Sequence, residues 1–106
     1  MTIHKLNAGY SATESAAKLF EVLLDLSRPI VSHYQSDLYY DAQWLRVNFT
    51  EMPFEFVYGV RPYGTHIGPL SSLKTFQSMG ASDLKLYHIR VVVVSGWNVA
   101  RVEEIS

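Results

Sequence analysis

The residues of this chain best suited to chemistry gather in a few short stretches. The first is Val60–Gly68, "VRPYGTHIG", which follows an aromatic, strand-like segment. Arg61 carries a rigid fork of donors that matches a carboxylate or phosphate at two points. Gly64 and Gly68 let the backbone turn and bring its N–H groups close to a ligand. Thr65 adds a hydroxyl, and His66 adds an imidazole that titrates near neutrality. With the positive end of a following helix near Ser71, these groups could form a pocket for a small anion. The plainer reading is a turn. Pro62 and Gly64 are ordinary turn residues, and "RPYGT" can simply join two short strands while Arg61 pairs with Glu55 or Asp83. Neither GxxxxGK[ST] nor GxGxxG is present, so no motif supports nucleotide binding.

His33, Asp37 and Asp41 form a second set. On a helix, their spacing of four would stack an imidazole and two carboxylates along one side. Such a stack can hold a divalent metal or pair an acid with a base, and His66 from the distant loop would add a second imidazole. The plainer reading makes Asp37 or Asp41 a helix cap; no HExxH pattern is present, and no metal or cofactor is expected. A third set is His88 and Arg90. They stand two apart in a strand-like run and so point the same way. Flanked by valines, they need partners, and Glu55, with Asp37 as a further candidate, can supply them. Structural pairing is the favoured reading of that patch. No GxSxG elbow occurs, and the absence of Cys removes thiolate and disulfide chemistry. His4 is expected to be exposed near the terminus.

The elements that must position these groups are read from periodicity. Thr13–Leu26 is the clearest helix: Ala16, Leu19, Phe20 and Leu23, with Leu26 and Ser27 as its continuation, recur at three and four, Val22 and Leu24 widen the stripe, and Ser11 or Thr13 is the cap. Pro29 ends it by disfavouring a helical Arg28. Ile30–Tyr40 reads either as a strand or as the approach to a helix. The helical reading runs from Asp41 to Asn48, with Ser36 or Asp41 as cap. Phe54, Phe56, Tyr58 and Val60 alternate with Glu55, Val57, Gly59 and Arg61, which marks a strand with an aromatic face. A short helix is expected from Ser71 or Ser72 to Ser78, with Gly80 beyond its end. "DLKLYHIRVVVVS" is the strongest strand, with Tyr87, Ile89, Val91 and Val93 on one face and Leu86, His88, Arg90, Val92 and Val94 on the other. "SGWN" turns the chain, and Val99–Ile105 returns as a last strand or, less well, a helical tail. The expected fold is one α+β domain: a mostly antiparallel sheet of three to five strands with two or three helices packed on one face.

Composition bounds the function. The chain has 106 residues, enough for one domain; 48% are hydrophobic and 18% charged. The charged share is low against the usual ~25%, which leaves apolar surface to cover and points to a homo-oligomer. Net charge is −1, and the nine Lys and Arg are scattered, which argues against nucleic-acid binding. The apolar run Val91–Val94 is far short of a membrane span, no targeting segment is evident, and a cytoplasmic protein is expected. The leading reading is a small binding module, homodimeric, holding a small anionic molecule or a protein partner near residues 60–68, with Arg61, Thr65, His66, His33, Asp37 and Asp41 as candidates. A rival is a small hydrolase or isomerase using His66 or His33 as base, Asp37 or Asp41 to orient it, and Arg61 to steady an oxyanion. The other rival is a pure protein-interaction factor.

Overall fold

Five antiparallel strands form a single open sheet in the order β1-β5-β4-β2-β3, with β1 at Thr2–Ala8, β2 at Phe54–Arg61, β3 at Gly64–Pro69, β4 at Lys85–Val94 and β5 at Trp97–Ile105. The helices are α1, Ala12–Ser27, α2, Asp37–Asn48, and the short α3, Leu73–Gln77, which follows a 3-10 turn at Leu70–Ser72. The computed structural model describes residues 1–9, 11–34, 37–79 and 83–105. The expected Ser36 cap and the expected Gly80 terminator lie outside the described residues. The architecture is the α+β domain that the periodicities predict.

Local chemistry explains most of the elements. Ser11 caps α1 by accepting the Glu14 N–H at 3.2 Å. The buried stripe of α1 is Ser15, Leu19, Val22, Leu23 and Ser27; Ser15 joins the expected stripe, and Ala16, Phe20, Leu24 and Leu26 flank it half-buried. In β2 the aromatic face packs inward: Phe56, Tyr58 and Val60 are fully buried. They join Leu19, Leu23 and Leu45 from the helices, Ile89 and Val91 from β4, and Ala100 and Val102 from β5 in one core between the sheet and the α1–α2 layer. β4 and β5 meet through Ser95 and Gly96, whose φ values of 52° and 82° suit a two-residue hairpin.

β1 departs from expectation, and β3, the second strand of the plainer reading, owes its form to its partner. β1 has little alternation, and its register slips between Lys5 and Asn7; its partner β5 makes it a strand, not its own sequence. β3, "GTHIGP", has strand-poor composition yet pairs with β2 from Phe56↔Pro69 to Arg61↔Gly64. The Pro62–Tyr63 turn between them matches the plainer reading of "RPYGT". The Ile30–Tyr40 ambiguity resolves toward helix, since α2 begins at Asp37, four residues before the start expected.

The two faces of the sheet differ in cover. α1 and α2 lie across one. On the other, α3 and its 3-10 turn sit over the β2–β3 end, where Gly68 admits Phe76 and Ser72 so closely that an added Cβ would stand 3.1 Å from each. Among the described residues no helix is long and apolar enough to cross a membrane.

Candidate functional site

The sharpest polar feature is Asp41. The first turns of α2 lie against β3, and register does the rest. Tyr58↔Ile67 and Val60↔Thr65 place Tyr58 and Thr65 on the helix-facing side of neighbouring strands. Asp41 is only 1% exposed. Its Oδ2 accepts the Thr65 hydroxyl at 2.6 Å and the Tyr58 phenol at 3.1 Å, while its buried Oδ1 has no partner. Burial pushes the Asp41 pKa up to about 6; the Thr65 and Tyr58 hydrogen bonds pull it down, and nearby Asp37 raises it further. Burial, with the Asp41 charge beside it, also raises the Tyr58 phenol.

Asp37 sits one helical turn earlier and meets the sheet at its edge. Its Oδ2 accepts the Thr65 backbone N–H at 3.0 Å, a donor left over by an edge strand. Gly64 makes this approach possible: a Cβ there would collide with Asp37 Oδ2, and the Gly64 φ of +151° is one L side chains rarely adopt. The segment before α2 adds a further tie, since the Ser32 N–H and hydroxyl both donate to the Pro62 carbonyl, at 2.9 and 3.0 Å. Remote segments therefore do converge on the 60–68 stretch.

The convergence does not gather all six candidates. His33 precedes α2 rather than stacking on it; it is exposed, with Nδ1 3.1 Å from the Ser32 hydroxyl. Arg61 and His66 share the sheet face opposite Thr65, because Arg61↔Gly64 and Gly59↔His66 are the alternate register pairs. His66 lies 6.0 Å from the Phe76 ring, and its Nε2 is buried without a partner. Burial lowers the His66 pKa, the Arg61 charge lowers it further, and Asp37 acts in the other direction. Arg61 has no carboxylate within 4.0 Å among the described residues; Glu55, one of its expected partners, is engaged by Arg90.

That second patch forms as the alternation predicts. Glu55 faces Arg90 across β2 and β4, with Arg90 Nε 3.3 Å and His88 Nε2 3.9 Å from its carboxylate. Asp37 takes no part; it is bound to Thr65. Among the described residues no three His, Asp or Glu come together as a metal site.

Two of the grooves among the described residues stand apart from Arg61, Thr65, His66, Asp37 and Asp41. One, about 420 Å³, runs between α1 and α2 over Ala12, Ala16, Phe20, Ala42 and Phe49, with Arg46 on its wall. The other, about 410 Å³, lies on the sheet face that α3 leaves open, at the β1–β5–β4 end. Ile3, Val94, Trp97 and Val99 line it, with Lys5 and Arg101. Sequence reading missed this surface. No element is expected before the helix at Thr13, so nothing in the periodicity places Ile3 and Lys5 beside β5. The available signal was the run of apolar side chains at Val92, Val94, Trp97 and Val99 across a two-residue turn. No protein-family model, curated protein or solved structure matches this chain.

Proposed function

We propose that this protein is a small binding module that works by contact, not by chemistry, and that the open sheet face is its contact surface. The observation that carries this reading is the exposure of that face: Ile3 is 60% exposed, Val94 41% and Trp97 40%, all lining one groove. A patch of large apolar side chains on an ordered sheet loses free energy on being covered. By contrast, the two carboxylates that would orient an acid–base pair are consumed as braces, Asp37 by the Thr65 N–H and Asp41 by two hydroxyls. Asp41 is sealed from solvent, with Oδ2 holding two hydroxyls that tie α2 to β2 and β3.

The test is a display selection with a random peptide library. Ligands that bind wild type are expected to fail on a Val94→Ser/Trp97→Ser variant whose melting temperature is unchanged. Ligands indifferent to that variant would refute the reading.

One observation favours a second reading, a small anion held beside the 60–68 turn. His66 Nε2 is buried without a partner, and Arg61 stands near enough to depress the His66 pKa. An anion bridging the two would satisfy both. Its test is thermal shift with phosphate and citrate, in which only wild type, not Arg61→Ala, is stabilised. The hydrolase or isomerase reading keeps an exposed His33, but the carboxylates it needs to orient a base are engaged elsewhere, Asp37 by the Thr65 N–H and Asp41 by Thr65 and Tyr58.

A further inference from the structure

We infer that the occupant of the open sheet face is an acidic peptide segment with apolar anchors, supplied by a different protein. The inference rests on the contact reading above and adds the chemistry of the partner. Strand register builds the surface as two rows: Lys5 pairs with Val99, which pairs with Val92, and Ile3 pairs with Arg101, which pairs with Arg90. Trp97 and Val94 close one end. The apolar groups call for apolar partners. The charges call for an anion, because Lys5 and Arg101 have no carboxylate within 4.0 Å among the described residues, whereas Arg90 is already held by Glu55. The Lys5 ammonium lies 5.2 Å from the Trp97 ring centroid, which keeps it over the patch instead of in open solvent. An extended segment that carries carboxylate and apolar side chains in turn at every second position meets both requirements, since those positions share one face and reach the cations and the groove together.

A second copy of the chain fits this face less well. A two-fold axis centred on Val99 and running across the strands sets Lys5 against its own counterpart; one running along the strands does the same to Arg101. Like charges brought together at the centre of an interface oppose association. A homodimer, expected from the low charge fraction, is therefore not the proposed occupant.

The experiment extends the display selection to wild type and to Lys5→Glu/Arg101→Glu, both checked for an unchanged melting temperature. The wild type is expected to enrich peptides rich in Asp and Glu around apolar residues. Their affinity should fall about tenfold or more on the charge-reversed protein and weaken steeply with added salt. The charge-reversed protein should enrich basic peptides instead. Amide shifts on binding should map to Lys5, Trp97 and Arg101. Peptides that bind wild type and the charge-reversed protein equally, but fail on Val94→Ser/Trp97→Ser, would overturn the acidic partner while leaving the contact face standing. Peptides that ignore both variants would overturn the face as well. Two further results also overturn the inference: a concentration-dependent dimer dissolved by Trp97→Ser, which would make a second copy the occupant, and Trp97-dependent cosedimentation with phosphatidylserine vesicles in the absence of acidic peptide binders, which would make it a lipid surface.

Discussion

The Thr65 hydroxyl donates to Asp41 Oδ2 at 2.6 Å, and both side chains are buried although twenty-four residues separate them in the chain. This bond closes α2 onto the edge of the sheet. Tyr58 donates to the same oxygen from the neighbouring strand, so one carboxylate oxygen organises a helix and two strands. Three expected outcomes follow from how these atoms are shared.

Replacing Thr65 by Val keeps the shape of the side chain and removes the hydroxyl. Asp41 Oδ2 then retains only Tyr58 inside a dry site. The loss is expected to be about 1–3 kcal/mol of unfolding free energy, read from urea denaturation, with Thr65→Ser recovering most of it. Equal losses for Val and Ser would show that the hydroxyl bond contributes nothing.

Asp41 makes stability depend on pH in an unusual direction. Its pKa rises from an ordinary 3.8 to about 6 on folding, so between those values the folded protein holds a proton that the unfolded chain releases. This contribution is full below about pH 4 and disappears as pH rises through about 6. Wild type should therefore lose on the order of 2 kcal/mol relative to Asp41→Asn between about pH 4 and about pH 7. Parallel denaturation curves for the two proteins across that range would contradict the burial argument. The depressed His66 pKa acts in the opposite sense, with stability lost as pH falls below its ordinary 6.5, which is why the comparison with Asp41→Asn is needed.

Gly64 and Asp37 form a coupled pair. A methyl group at Gly64 would displace the Asp37 carboxylate from the Thr65 N–H. Gly64→Ala is expected to cost about 2–3 kcal/mol in wild type, partly from that lost bond and partly from its φ of +151°. In an Asp37→Ala background, only the backbone part should remain. A double-mutant cycle should give a coupling of about 1 kcal/mol. Additive losses would place the Gly64 requirement in the backbone alone.

Much of the fold was legible because burial writes a period into the sequence. The α1 stripe with its Ser11 cap, the inward aromatic face of β2, the two faces of β4 and the Glu55–Arg90–His88 patch all follow from spacing over a few residues. What lay beyond reach depends on pairing between distant segments. β1 and β3 are strands because β5 and β2 offer them backbone partners, and neither carries enough alternation of its own to announce it. Asp41 reads the same on paper whether it caps a helix, binds a metal or braces a core. Only the approach of Thr65 and Tyr58 decides between these, by excluding water and supplying two donors. Likewise Arg61 and Thr65 sit four apart in one short stretch, yet the hairpin turns them to opposite faces of the sheet. The apolar patch and its cations belong to three strands that only tertiary pairing lays side by side. Local periodicity determined what α1, β2 and β4 would become; long-range pairing, which determines which groups lose their water together, made strands of β1 and β3 and decided which residues meet.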